Sequence, residues 1–147
     1  MRQMQLEALD IFLRLCAAGI LGAVIGFERR VHHKAIGIAG MMLICIGSTT
    51  YMLLGLHLAE LDPGAISRTL QGFLGGIGFL GGAVIFKSGF DVKGIKAAAA
   101  IWIAGALGLA IATSYWPLSL VGGLATALIL FIADSFPDEV REEKQEP

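Results

Sequence analysis

Charge is scarce in this chain. Asp, Glu, Lys and Arg together supply 16% of the 147 residues, and 56% are hydrophobic. A soluble domain of this size needs a larger charged surface, so a water-exposed globule is excluded. No basic stripe interleaves with aromatics, which removes nucleic acid as a partner. Cysteine is nearly absent: Cys16 and Cys45 both fall in apolar runs, with no second ligand spaced nearby. They read as small apolar residues rather than a disulfide or a metal site. No H-E-x-x-H and no C-x-x-C occurs, and no paired acids face each other in the apolar runs. An enzyme is therefore not expected, and neither a cofactor nor a metal ion is.

What the chain does have is long apolar runs with the charges gathered between them. Roughly 20 such residues cross a bilayer as a helix. Five segments qualify: Leu9–Phe27, Ile36–Leu58, Thr69–Phe86, Ile95–Thr113 and Pro117–Asp134. Period-two alternation is not sustained, which argues against a β-barrel. The fold class is all-α: a compact bundle of about five transmembrane helices over residues 1–134, with a short polar tail over 135–147. The n-region holds Glu7 and Asp10 beside Arg2, and the apolar stretch is too long for a cleavable signal, so the first run reads as a retained helix.

Lys and Arg set the orientation. Arg29, Arg30, Lys34, Lys87, Lys93, Lys96, Arg141 and Lys144 fall on one side, Arg2 and Arg68 on the other. The N-terminus is expected outside and the C-terminus in the cytoplasm, in a bacterial-type plasma membrane. Tyr115 and Trp116 suit an interfacial turn, while Trp102 reads as packing.

The third run, GFLGGIGFLGGAVIFK from Gly72, concentrates glycine. At 100° per residue Phe73, Ile77, Leu80 and Val84 gather in a stripe about 60° wide, leaving the rest nearly bare. Small residues let helices approach closely in lipid. This helix is expected to be central, with Gly72, Gly75, Gly76, Gly78 and Gly82 against its neighbours. Gly22 and Gly26 in the first run and Gly105 and Gly108 in the fourth offer partner surfaces. The bare surface serves either bundle packing alone or docking of another membrane protein or a second copy. Gly76-Ile-Gly78-Phe-Leu-Gly81 matches G-x-G-x-x-G, but inside an apolar run it lacks the strand and the later acid a dinucleotide site requires.

Three separated blocks resemble the MgtC/SapB family. They are GAVIGFERR (Gly22 to Arg30), RTLQGFLGGIGFLGGAVIFK (Arg68 to Lys87) and VKGIKAAAAIWIAGALGLAIA (Val92 to Ala112). The resemblance is to the family's membrane part; many members continue into a soluble C-terminal domain, which this chain is expected to lack. It departs where members usually carry Arg-Thr-His, here Ala39, Gly40 and Met41, and where they tend to carry paired threonines, here Lys96 and Ala97. The resemblance implies a membrane protein of stress adaptation, such as low magnesium, acid or survival inside a host cell, without implying a magnesium pump.

The remaining charges have two readings each. Arg14 lies inside the first run and can pair with Asp10 four residues back; it either snorkels to the surface or meets another subunit. Glu28 and Arg29 belong either to a topology-setting collar touching anionic lipid or to an ion pair with Lys93 or Lys96. His32 and His33 could titrate near pH 6.5. Asp91 reads as loop-forming, and Asp62-Pro63-Gly64 as a turn signal only. Arg68 sits with Gln71 at the mouth of the third run, and a buried Gln71 should bond a neighbouring helix. Apart from Asp10 and Asp134 at the run ends, no Asp or Glu lies within the runs, which is thin for a magnesium path. The reading favoured is a non-catalytic modulator of other membrane proteins, with a small ion transporter or channel subunit as the alternative. Its partners would be the bilayer and a membrane protein or a second copy.

Overall fold

A computed structural model describes residues 2–31, 36–62, 64–88 and 91–135. Among these residues are five helices: α1 (Arg2–Val31), α2 (Ile38–Ala59), α3 (Ala65–Ala83), α4 (Ile95–Ala112) and α5 (Trp116–Ser135). The all-α class expected from the apolar runs is what the chain forms. Four helices are long and apolar enough to cross a membrane: Glu7–Phe27 of α1, then α2, α4 and Trp116–Ala133 of α5. At 19 residues, α3 is about 28 Å long at 1.5 Å per residue, close to the hydrocarbon thickness. Its many glycines, with Arg68 and Gln71, keep its mean hydropathy below that of those four spans.

The third helix begins earlier than expected and ends earlier, at Ala83 rather than Phe86. Phe86 belongs instead to a hairpin that the sequence reading took for a loop. Strand β1 (Phe86–Ser88) pairs antiparallel with β2 (Asp91–Lys93), in the register Phe86 to Lys93, Lys87 to Val92 and Ser88 to Asp91. The hairpin satisfies backbone groups that a plain loop at the membrane edge would leave to water. It returns through Gly94, whose φ is +93°. That left-handed conformation suits glycine, and a Cβ there would run into the Val84 carbonyl oxygen. So Gly94 is the residue that lets β2 turn directly into α4.

The central helix is α4, not α3. It contacts α1, α2, α3 and α5. Ala97, Ala100, Ile101, Ala104, Gly105, Leu107, Gly108, Ala110, Ile111 and Ala112 of α4 are all buried. Its small residues occur on every side, so four neighbours can approach at once. A Cβ on Gly108 would lie 2.6 Å from the Cys45 carbonyl oxygen of α2, and one on Gly105 would lie 2.6 Å from the Phe73 ring of α3. The α1–α2 contact is equally close. A Cβ on Gly22 would lie 2.6 Å from the Met41 carbonyl oxygen, and one on Gly26 would lie 2.6 Å from the Ile38 Cα.

The third helix turns the expectation around. Most of its bulky stripe faces inward: Ile77 is buried, and Phe73 and Val84 pack against the same core, while Leu80 stays exposed. Among the described residues, nothing beyond α3's own backbone lies within 4 Å of where a Cβ on Gly75, Gly76, Gly78 or Gly82 would stand. Large side chains supply α3's core contact, so its bare face is left outside. Trp102, read as packing, points outward and is 52% exposed. Both cysteines are free.

Candidate functional site

Arg14 is held by two partners. Its Nε donates to Asp10 Oδ2 at 2.7 Å, one helical turn away on α1. Its Nη1 donates to the carbonyl oxygen of Ala112 at 2.5 Å. The last carbonyls of a helix lack intrahelical donors and carry partial negative charge. Arg14 therefore neutralises the C-terminus of α4, and its side chain is only 17% exposed. The Asp10 pairing was legible at i, i+4; the carbonyl partner was not, being 98 positions away.

The hydroxyls of Ser48, Thr49, Thr50, Ser119 and Thr126 are spent on carbonyls of the protein. Ser48 Oγ donates to Ile44 at 2.7 Å, Thr50 Oγ1 to Ile46 at 2.9 Å and Thr126 Oγ1 to Gly122 at 2.7 Å. These are back-bonds within one helix. Thr49 Oγ1 reaches across to Gly108 at 2.9 Å, and Cys45 Sγ to Ala104 at 3.3 Å. Both tie α2 to α4. Among the described residues no three His, Cys, Asp or Glu side chains gather where they could hold a metal ion.

At the end of α2 the chain makes a charged corner. Asp62 Oδ1 accepts the Gly64 N–H at 2.8 Å, and its Oδ2 accepts from Arg68 Nη2. The Gly64 N–H and then the Arg68 guanidinium hold the Asp62 carboxyl below its usual range. Asp62 is thus more than the turn signal the sequence suggested: it closes the turn and pairs the first arginine of α3. An acid six residues ahead of an arginine, across a helix start, was the available signal.

Gln71 is exposed; the expected bond to a neighbouring helix is absent because Gln71 lies on the outer face. With Gly75, Gly78 and Gly82 it forms an open strip at about one residue per turn. Leu74, 53% exposed, and Phe79, 77% exposed, flank that strip. Arg68 stands at its upper end, also exposed. Gly72 lies apart from this strip, with the Tyr51 hydroxyl 2.7 Å from where its Cβ would stand.

Lys93 and Lys96 are exposed, on β2 and the first turn of α4. Lys96 Nζ donates to the Ala133 carbonyl oxygen of α5 at 3.4 Å. The side chains of Glu28, Arg29 and Asp91 lie outside the described residues, as do His32 and His33. The expected pairing of Glu28 with Lys93 or Lys96 therefore falls outside them as well.

A hub helix of small residues, four bilayer-length apolar helices and a fifth whose bare face looks outward define a polytopic helical membrane protein. Within that class the chain belongs to the MgtC family: the family profile matches residues 15–138. It is 37% identical over 97 residues to protein MgtC of Brucella abortus (strain 2308), covering 64% of this chain and 40% of that one. Protein MgtC of Salmonella typhimurium (strain LT2) is 34% identical over 97 residues, covering 66% and 41%. Protein SrpB of Synechococcus elongatus is 36% identical over 135 residues, covering 83% and 74%. The chain thus spans about two-fifths of the length of the MgtC relatives. No solved structure matches it.

Proposed function

We propose that this protein is a non-catalytic modulator of other membrane proteins in stress adaptation, resident in a bacterial-type plasma membrane with its N-terminus outside. The single observation that carries the reading is the outward strip of Gln71, Gly75, Gly78 and Gly82, against which none of the other described residues packs. In lipid, helices associate by close approach over small residues, and a polar group such as Gln71 adds an interhelical hydrogen bond. A transmembrane helix of a partner protein is the object that fits such a face. Several hydroxyls of the bundle support the same reading, since those of Ser48, Thr49, Thr50 and Thr126 donate to protein carbonyls. The link to stress rests on family membership.

The test is photo-crosslinking in native membranes from Gly78, replaced by a photoreactive residue, beside the same residue at Leu128 on the far helix. A defined adduct from position 78 and none from position 128 is expected. Liposomes carrying the purified protein are expected to show no Mg²⁺ flux above empty liposomes. Flux without any adduct would overturn the reading in favour of a transporter.

A further inference from the structure

Helices α2 and α3 meet closely near their connecting turn and part further along. A Cβ on Gly55 would lie 2.6 Å from Thr69 Oγ1, whereas Gly47 and Gly76 have open space above them. The parting leaves a groove of about 420 Å³ walled by Leu43, Ile44, Phe73, Ile77 and Leu80, with Gly47 and Gly76 on its floor. Toward the turn lies a second hollow of about 370 Å³, bounded by Asp62, Arg68 and Thr69. Tyr51 lines both. This seam is on another flank of α3 from the glycine strip: Gly76 and Gly78 are about 160° apart at 100° per residue.

The seam has the polarity of an amphiphile. One end holds a carboxylate and a guanidinium side by side, both more than half exposed; the other end is aliphatic and aromatic. From Arg68 to Leu80 it runs about 18 Å along α3, a little more than half of a ~30 Å hydrocarbon core. A partner helix, about 10 Å across with its side chains, is too broad for a cleft between two helices that touch at Gly55 and Thr69. A single acyl chain is not.

The geometry points to a zwitterionic aminophospholipid held in the α2–α3 seam, its phosphate on Arg68, its ammonium on Asp62 and one acyl chain over Gly76. Charge complementarity selects the headgroup. Arg68 gives one of its five N–H donors to Asp62, leaving others for phosphate oxygens. The Asp62 carboxylate beside it repels a purely anionic head and attracts an ammonium. The Asp62–Arg68 pair thus presents both signs in the order a phosphoethanolamine head carries them.

The test is native mass spectrometry of the full chain, taken into mild detergent from nanodiscs of equal phosphatidylethanolamine and phosphatidylglycerol. One phosphatidylethanolamine per chain is expected to survive. Gly76→Leu, which fills the floor, should lower that occupancy about tenfold. Gly47→Leu, from the α2 side of the floor, should do the same and decides the matter if Gly76→Leu does not fold by circular dichroism. Arg68→Gln should erase the preference between the two lipids. Gly78→Leu, on the other flank, should leave lipid occupancy unchanged even where it abolishes protein crosslinking. Unchanged occupancy in both folded groove variants would overturn the proposal. So would preferential retention of phosphatidylglycerol, or a second copy of the chain in place of lipid.

Discussion

Arg14 and Ala112, 98 residues apart, are joined by a 2.5 Å hydrogen bond that ties the second helical turns of the first run to the last carbonyls of the central helix. Hydrogen bonds involving a charged group contribute about 1.5–3 kcal/mol, and the charge also meets the negative end of a helix. Arg14→Met is expected to destabilise the protein by about 2 kcal/mol in a denaturant titration in detergent. Asp10→Asn should cost much less, because Asp10 is more than half exposed and exposed pairs contribute a few tenths to 1 kcal/mol. Equal losses for the two variants would contradict this ranking.

Gly94→Ala is expected to be more damaging than its size suggests. A left-handed φ costs a residue with a Cβ roughly 1–2 kcal/mol, and here the added carbon also meets the Val84 carbonyl oxygen. Loss of the hairpin should show as faster amide exchange over 86–93. A protection pattern identical to wild type would remove Gly94 from this role.

Ser114 offers the opposite change. It is the sole non-glycine residue with positive φ among those described, at 59°. The Tyr115 N–H reaches the Ala110 carbonyl and the Ser114 N–H the Ile111 carbonyl, a Schellman closure of α4 in which glycine is the usual residue. Ser114→Gly should stabilise the protein by about 1 kcal/mol, read as a raised thermal midpoint. A lowered midpoint would show that the serine is held there by something other than backbone geometry.

Two glycine variants should behave in opposite ways. Gly108→Leu places carbon into the Cys45 carbonyl of α2 and should prevent stable assembly of the bundle. Gly78→Leu meets none of the other described residues, so helicity and thermal midpoint should stay as in wild type while crosslinking to a partner is lost. Misfolding of Gly78→Leu would show that the strip is covered by the protein's own helices.

The charged corner gives a pH dependence with a definite sign. The folded state depresses the Asp62 carboxyl, so its contribution is present above the ordinary aspartate value of about 3.9 and lost as pH falls through the lower folded value. The side-chain NMR signal of Asp62 should titrate below the ordinary range in wild type and return toward it in Arg68→Gln. The backbone N–H of Gly64 keeps part of the depression in that variant.

The long helices were legible because twenty apolar residues in lipid have few alternatives to a helix. The Asp10–Arg14 pairing followed from spacing alone. The position of α3 did not. Glycine carries no direction: a bare face serves equally to admit a neighbour or to stand open, and only Ile77 and Phe73, which point at α4, decide between them. The strength of α4 as a hub was understated for a related reason, since alanine is counted as filler until four helices are seen to lean on it. The hairpin rested on three-residue strands, too short for periodicity to declare. The left-handed Gly94 was present in a family-like motif, but its angle could be read only from the fold.

The placement of α4 has an evolutionary corollary. Any enlargement along that helix must be accommodated by several interfaces together, so its residues should drift slowly and in concert. Its glycine-rich neighbour α3, attached along one side, can change its outer surface one residue at a time. New associations in this lineage should therefore arise on α3 while the scaffold that carries it stays still.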